Sequence, residues 1–204
     1  MYDLTSEGNP KKFIQYFVTL AATLSAVASG MVLAWTSPIL DDLKNGKFRD
    51  IPLDKDQLGW IGSFVTLGAM AVCIPTGFIC DLIGRKKCLL LLIIPFTVGW
   101  VLILFAKNVL MLYFGRIITG MGVGACCIAL PLYISEIAHK TLRGALGSYL
   151  QLMITVGILL AYLAGKYLSP INYTVLCLCL PFAFLLLFVF QPESPVYLLK
   201  RGAV

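Results

Sequence analysis

Residues 88–106 read CLLLLIIPFTVGWVLILFA, an apolar run without a single charged side chain. An α-helix rises about 1.5 Å per residue, so about 20 apolar residues are needed to cross a hydrocarbon core of roughly 30 Å. Five more windows are similarly long and apolar. The six predicted membrane spans are residues 13–39, 58–80, 88–106, 109–133, 145–168 and 173–190. Because only short polar connections separate them, the sequence predicts one domain over residues 1–204, an all-α integral membrane bundle of six transmembrane helices.

The composition of the whole chain agrees with this pattern. Hydrophobic residues make up 59% of the 204 positions and charged residues 13%, and the mean hydropathy is +0.90. A soluble domain of this length could not bury so much apolar surface. We therefore expect a multi-pass protein that is surrounded by membrane lipid.

Basic residues indicate which side of the membrane each connection occupies. Most of them fall on one common side, namely Lys11, Lys12, Arg85, Lys86, Lys87, Lys140, Arg143, Lys200 and Arg201. The positive-inside rule makes that side cytoplasmic, so both termini are predicted to be cytoplasmic. The first external loop weakens this bias, because it carries Lys44, Lys47, Arg49 and Lys55. Since the basic residues form no stripe with exposed aromatics, no nucleic-acid partner is predicted.

The reactive residue types give no sign of a catalytic or metal site. All seven cysteines fall within the predicted spans or at their ends, and the pair Cys177 and Cys179 lacks a second pair or a nearby histidine. No nucleophile, base and orienting group converge in the sequence. We therefore predict neither an enzyme nor a cofactor nor a metal site.

Glycines in the fourth span have two possible explanations. Gly120 and Gly124 are spaced as GxxxG, which favours close packing of helices. The run GMGVG at residues 120–124 also resembles a phosphate-binding loop, but it lies in mid-span and no strand precedes it. Helix packing is the prediction.

Arg116 lies inside the fourth predicted span. A cation at mid-bilayer costs about 2.5–3.5 kcal/mol on insertion scales. In one explanation the side chain, about two turns from the external end, extends outward along its stem to the interface. In the other, which we weigh more heavily, it faces the bundle interior or a water-filled path and is paired there.

Two cytoplasmic connections carry charges in an unusual arrangement. The first reads DLIGRK at residues 81–86, and membrane orientation alone requires neither the carboxylate of Asp81 nor the turn-forming Gly84. The second contains Glu136 and Arg143. Solvated loops would explain each charge separately. Together, the charges are also suited to an ion network between helices that is made and broken during a conformational cycle.

Gln151 lies one or two turns inside the fifth span, where its amide needs hydrogen-bond partners. Bonding to a neighbouring helix is one explanation, and bonding to the hydroxyl groups of a polyol is the functional alternative. Tyr149, Thr155 and Tyr162 add polar groups to the same span. This span is therefore a candidate for contact with a polar substrate.

Several motifs are typical of one family, both in their order along the chain and in their positions at span ends. They are Gly115-Arg116, Pro131-Leu-Tyr133, Glu136, Arg143-Gly144, Gln151-Leu152, Gly157-Ile158-Leu159, the 81–86 loop and Pro192-Glu193-Ser194-Pro195. On these motifs the sequence resembles, over nearly its whole length, the first half of the facilitative sugar transporters, the sugar porter branch of the major facilitator superfamily. The insect trehalose transporter-like members look closest, on the basis of residues 36–38 and 195–199.

The resemblance implies one half of a major facilitator bundle, built as a three-plus-three inverted repeat. It also implies facilitated transport of a sugar, trehalose or a hexose, by alternating access. Gln151 would line the sugar site, with Ile154 and Thr155 beside it. The residues implied in a cytoplasmic gate network that latches two halves together are Asp81, Gly84, Arg85, Lys86, Glu136, Arg143 and Glu193.

The chain departs from the family pattern in two places. Val196 stands where many relatives carry arginine, which weakens the implied latch role of Glu193. Residues 13–39 contain no carboxylate, whereas proton-driven relatives typically have an aspartate there. Passive uniport is therefore predicted over proton-coupled symport, which remains an alternative.

The sequence reaches Val204 about where the family would continue into a long cytoplasmic connection and six more helices. The alternatives to a transporter half are a non-transporting truncated or regulatory membrane protein, a sugar sensor and an incomplete gene model. The expected partners are a sugar substrate, membrane lipid, and the absent C-terminal half or another transporter chain. The family implies residence in the plasma membrane.

Overall fold

The structure, a computed structural model, describes residues 9–49, 51, 53–138, 142–191, 193, 194 and 197, and the side chains of all of these except 9–14 and 143. The elements in this part of the chain are all helices: α1 (Asn9–Ala34), α2 (Leu40–Lys44), α3 (Lys55–Ile83), α4 (Arg85–Leu91), α5 (Ile93–Leu104), α6 (Val109–Ile137), α7 (Arg143–Tyr167) and α8 (Pro170–Phe188). Six segments are long and apolar enough to cross a membrane, namely α1, α3, α4 with α5, α6, α7 and α8. The predicted all-α fold with six candidate membrane helices is confirmed.

Two helices begin where the sequence supplies capping side chains. Asp54 and Gln57 form a reciprocal capping box at the start of α3. The Asn108 side chain accepts a hydrogen bond from the Met111 N–H (3.0 Å) at the start of α6. Such acceptors satisfy backbone N–H groups that have no partner within the helix. α3 therefore begins at Lys55, ahead of the predicted start at residue 58.

Two prolines lie at helix ends that the apolar windows do not show. Pro95 lacks an N–H, and its ring disfavours a continuous helix through Leu91, the last residue of α4. The third span is therefore two helices joined through one residue. α1 ends at Ala34 rather than at the predicted residue 39. The turn that follows contains Pro38, which disfavours helical backbone in the residue before it.

Glycines allow the main helix pairs to cross at short distance. A Cβ atom at Gly120 would lie 2.2 Å from the Val65 carbonyl oxygen, and one at Gly124 would lie 2.4 Å from a second carbonyl oxygen of α3. α3 and α6 therefore meet backbone to backbone, as the GxxxG spacing predicts. α1 and α7 cross in the same way, because a Cβ at Gly30 would lie 2.1 Å from the Ile154 carbonyl oxygen.

The bundle buries polar groups of its central helix and exposes apolar side chains. α1 contacts α3, α6, α7 and α8, and its buried hydroxyl residues are Thr19, Thr23, Ser25 and Ser29. On the outside, α3 presents Met70, Ile74 and Phe78, each more than two-thirds exposed. An apolar outer surface is stable in lipid and would be unstable in water.

The two ends of the bundle differ in their charged groups. The end predicted to be cytoplasmic holds the end of α3, the start of α4, the end of α6 and the end of α8. The opposite end holds α2 and the first loop. In that loop Lys47 Nζ lies 3.0 Å from Asp42 Oδ1, and Lys44 Nζ lies 3.8 Å from Asp41 Oδ1. Two of the four cations that blur the predicted orientation are thus paired with carboxylates.

Candidate functional site

Arg85 begins α4, and its side chain joins three helices at the predicted cytoplasmic end. Its Nε donates to Glu136 Oε1 of α6 (2.9 Å), and its Nη2 donates to Asp81 Oδ1 of α3 (2.8 Å). Its Nη1 donates to the Cys80 carbonyl oxygen (3.2 Å). The side chains of Arg85 and Glu136 are 6% and 13% exposed, so their charge-assisted bond is partly shielded from solvent. The Asp81 side chain is 61% exposed, so solvent reaches the cluster from that side.

Glu193 follows α8 and binds the N-terminus of α4. Its Oε1 accepts hydrogen bonds from the backbone N–H groups of Lys86 (2.8 Å) and Ser194 (3.0 Å). A carboxylate is stabilised there because the first N–H groups of a helix lack partners and carry the positive end of the helix dipole. Gly84 makes the approach possible, since its φ is 101° and a Cβ atom there would lie 2.8 Å from Glu193 Oε2.

Two residues that were not predicted as site residues also belong to this end of the bundle. The Ser194 hydroxyl donates to Glu136 Oε2. The Tyr197 hydroxyl donates to the Leu82 carbonyl oxygen (3.1 Å), and its ring centroid lies 5.9 Å from the Arg85 guanidinium carbon. The 192–195 motif marks this segment in the sequence, but a sequence does not show which carboxylate the serine hydroxyl will bond to.

We call the group Asp81, Arg85, Glu136, Glu193 and Ser194 the Arg85 cluster. The structure thus brings together Asp81, Gly84, Arg85, Glu136, Glu193 and the backbone of Lys86. The side chain of Arg143 lies outside the described residues, as does Val196. The proposed gate role of these residues stays a prediction.

A second group lies on the outer surface of α7. Gln151 and Thr155 are both exposed, and a spacing of four residues puts them on one side of the helix. Tyr162 is 49% exposed and lies on the same side. We call these three residues the Gln151 face. The Thr155 hydroxyl donates to the Gln151 carbonyl oxygen (2.9 Å), but the Gln151 amide makes no hydrogen bond to the described part of the chain.

The chemistry of the Gln151 face is unusual for a membrane span. An amide without partners in an apolar medium costs roughly 2–7 kcal/mol, depending on the reference state. A carboxamide can donate and accept hydrogen bonds at the same time, which suits vicinal hydroxyl groups. Ile154 is 8% exposed and packs into the core rather than onto this face. Its predicted contact with substrate stays a prediction.

Arg116 is buried near the other end of the bundle, with 1% of its surface exposed. Its Nη1 donates to the Val32 carbonyl oxygen (2.9 Å), its Nε to that of Ile61 (3.3 Å) and its Nη2 to Thr36 Oγ1 (3.3 Å). Val32 lies in the last turn of α1, where carbonyl groups lack helical partners and attract a cation. The guanidinium also lies 5.4 Å from the Trp35 ring. Arg116 therefore faces the interior, where it joins α1, α3 and α6.

Comparisons of the sequence find sugar carriers. The family model described as sugar (and other) transporter matches residues 2–204. The bovine solute carrier family 2, facilitated glucose transporter member 8 is 41% identical over 186 residues, which cover 91% of this chain and 39% of that protein. The facilitated trehalose transporter Tret1-2 homolog of Drosophila simulans is 33% identical over 204 residues, which cover 98% of this chain and 42% of that protein. The chain thus spans about two fifths of the length of these relatives.

Solved structures show the same fold. The inward-open xylose transporter XylE from E. coli superimposes with a TM-score of 0.78 at 23% identity, covering 93% of this chain and 50% of that one. A double-Trp mutant of XylE gives a TM-score of 0.80 and covers 94% of this chain and 47% of the mutant chain. The six-helix fold of half a major facilitator transporter is therefore confirmed. These relatives are transporters rather than enzymes.

Proposed function

The chain belongs to the family of sugar (and other) transporters, and on that premise we propose that its six helices form one half of a facilitated sugar transporter that works by alternating access. The Gln151 face is the observation that carries this proposal. Its amide is exposed on a membrane span and lacks partners in the described chain. Such a surface is stable when it borders a water-filled path closed by a second six-helix half, and the relatives, more than twice as long as this chain, have room for such a half.

A sugar is the substrate class that suits this face. Gln151 offers two donors and an acceptor, and the Tyr162 hydroxyl can do both. These neutral groups match the hydroxyl groups of a sugar, whereas an ionic substrate would need a counter-charge. The names of the relatives support trehalose or a hexose.

The Arg85 cluster is proposed as a lock, meaning the group of contacts that holds the cytoplasmic end of the path closed. It ties the end of α3, the start of α4, the end of α6 and the segment after α8 to one guanidinium and one helix terminus. Alternating access requires one end of the path to close while the other is open. A set of short charge-assisted bonds at one end fits such a lock, since it can be broken and remade as a unit.

Uniport is proposed over proton coupling. The buried polar groups of α1 are the hydroxyls of Thr19, Thr23, Ser25 and Ser29, none of which ionises at physiological pH. The predicted spans contain no aspartate or glutamate at any position. The predicted spans of this half therefore offer no carboxylate as a proton carrier. We further propose the plasma membrane with both termini cytoplasmic, because nine of the sixteen basic residues of the sequence fall in the termini and connections on the Arg85 side.

The experiment is counterflow of labelled sugar in liposomes. One preparation holds the chain fused to the second half of the bovine glucose transporter relative, and another holds the chain alone. We expect flux of labelled glucose or trehalose from the fusion, and flux at the level of empty liposomes from the chain alone. Gln151→Ala in the fusion should reduce flux about tenfold, because one or two substrate hydrogen bonds are lost.

Leu152→Ala is the matched control, since Leu152 is the next residue on α7 and is also exposed but lies off the Gln151 face. Equal flux from the two variants would remove the sugar-contact role. A folded fusion without any flux would instead favour the competing function, a non-transporting regulatory or sensing membrane protein. Flux from the chain alone would contradict the need for a second half.

A further inference from the structure

A groove runs along residues 16–24 of α1, between α7 and α8. Its first part, of about 350 Å³, is lined by Tyr16, Phe17, Leu20, Tyr149, Leu152 and Met153. Its second part, of about 270 Å³, shares three of these residues and continues to Ala21, Leu24 and Leu187. Each part is close to or within the volume range of small-molecule sites. The groove begins about two turns inside the predicted cytoplasmic end of α1 and continues toward mid-membrane.

The groove does not belong to the proposed sugar path. At about 100° per residue, Tyr149, Leu152 and Met153 lie together on one side of α7 and roughly 130° away from the Gln151 face. The side of α7 that faces the core, where Leu146 and Ala161 are fully buried, lies between the groove and the Gln151 face. The groove therefore opens on the lipid side, between α7 and α8, and an inference about it is independent of the proposed transport function.

Tyr16 and Tyr149 form the mouth of the groove, at its cytoplasmic end. The rings of Tyr16 and Tyr149 have centroids 6.4 Å apart and planes tilted by 41°, so they form an aromatic wall at the mouth. Neither hydroxyl makes a hydrogen bond to the part of the chain that the structure describes. The mouth thus offers phenol groups near the membrane interface, and the rest of the lining is aliphatic, aromatic or thioether.

The sequence of α1 carries a matching pattern. Lys12, Tyr16 and Leu20 follow one another at intervals of four residues, a spacing that recurs on one side of a helix. A basic residue, an aromatic and a branched aliphatic in this order form the reverse of the pattern proposed for sterol contact. Tyr16 and Leu20 are two of the residues that line the groove.

We propose that this groove binds a sterol of the cytoplasmic leaflet, with the fused rings along Leu20 and Met153 and the hydroxyl group at Tyr16 and Tyr149. A rigid ring system loses little conformational entropy when it binds, whereas a flexible acyl chain must be ordered. A sterol also has a single hydroxyl at one end of an apolar body. That distribution matches two phenols at the mouth and an apolar interior.

Photolabelling with a diazirine analogue of cholesterol tests the proposal. The chain is placed in phosphatidylcholine nanodiscs, and labelled residues are mapped by mass spectrometry. We expect labels on the groove lining that unlabelled cholesterol competes away. Leu20→Trp fills the groove and should abolish this labelling. Leu186→Trp on α8, which is 69% exposed and does not line the groove, should leave it unchanged.

A second variant keeps the test valid if Leu20→Trp does not fold. Tyr16→Phe with Tyr149→Phe keeps the shape and removes both hydroxyls, so cholesterol should compete about two- to tenfold less well. A sterol with the inverted 3-hydroxyl should compete less well against the unaltered chain. The proposal is overturned if a photoreactive phosphatidylcholine labels the groove and cholesterol does not displace it. Equal labelling of the two Trp variants would overturn it as well.

Discussion

At the scale of single residues, two arginines occupy opposite ends of the bundle and use their planar groups differently. Arg85 bonds to two carboxylates and a carbonyl oxygen, so its surroundings balance its charge. Arg116 bonds to two carbonyl oxygens and a hydroxyl, all neutral. The first arrangement can be opened by solvent that screens the ions, whereas the second is enclosed in the protein and serves stability.

Arg116→Lys should lower the melting temperature of the chain in detergent. A lysine has one nitrogen and cannot reach acceptors on α1, on α3 and in the turn after α1 together, so at least one of these three acceptors loses its partner. The expected cost is about 1–3 kcal/mol. Thermal unfolding followed by circular dichroism measures it. Arg49→Lys, the same change at an exposed loop position, should leave the melting temperature nearly unchanged. Similar shifts for both would argue against the three-way contact.

Glu193→Gln should loosen the cytoplasmic end without unfolding the bundle. The change keeps the shape but removes the negative charge at the N-terminus of α4, a loss of about 0.3–1 kcal/mol for an exposed site and more for a buried one. Cys80 and Cys88 are buried beside the cluster, so their alkylation by a water-soluble thiol reagent reports opening. We expect labelling to become about two- to fivefold faster.

Asp56→Asn is the control for this experiment, because it removes an acidic side chain from the first turn of α3 at the opposite end. Its labelling rate should equal that of the unaltered chain. If Glu193→Gln also leaves the rate unchanged, the carboxylate does not hold that end closed.

At the scale of helices, apolar length predicts which segments form spans but not where they begin and end. The predicted windows find all six membrane helices, because a span needs many apolar residues and few charges. Their boundaries depend on local chemistry that hydropathy does not record. α3 begins at a capping box, and the third span breaks four residues before Pro95. Both signals are present in the sequence, but a window average hides them.

Contacts between helices were partly predictable. The GxxxG spacing indicates a close approach at Gly120 and Gly124, and the structure shows it. The α1–α7 crossing at Gly30 and Gly157 has no such spacing within either helix, since each contributes one glycine to the contact. A pair of glycines that are distant in sequence can be recognised as a crossing only when the neighbouring helices are known.

Gly68→Ala should destabilise the α3–α6 contact, because the new Cβ would lie 2.1 Å from the Ile117 carbonyl oxygen. Backbone atoms cannot rotate away, so the helices must separate. We expect a loss of about 1–3 kcal/mol, measured as a lower melting temperature. Gly62→Ala on the same helix meets no atom within 4 Å and should be neutral or slightly stabilising. Equal effects would show that α3 and α6 do not pack this closely.

At the scale of the whole molecule, the sequence predicted the fold class and the family, and the comparisons confirm both. The site residues differ in how far their spatial grouping follows from the sequence. Charges at loop ends are few and must find partners, so the grouping of Asp81, Arg85 and Glu136 could be anticipated. The chain path after α8, which brings Ser194 to Glu136, follows from tertiary packing. The lipid-facing groove also depends on how far α7 and α8 diverge, which no motif records.

The absence of carboxylates from the predicted spans leads to a prediction for the joined transporter. Uptake of labelled sugar by the fusion should not change when the proton gradient across the liposome is collapsed or inverted, because this half offers no proton carrier in mid-membrane. The measurement is initial uptake at equal sugar concentration with and without an imposed gradient. Accumulation above equilibrium driven by the gradient would favour the proton-coupled alternative.

The most direct test of the account is whether the Gln151 face meets water inside the membrane. Thr155→Cys and Leu186→Cys, each in the fusion with Cys179→Ser, are treated with a membrane-impermeant thiol reagent. Position 155 should react quickly and be protected by transported sugar, whereas position 186, on the lipid-exposed side of α8, should stay unreactive. If position 155 is as unreactive as position 186, the Gln151 face borders lipid and no water-lined sugar path runs along α7.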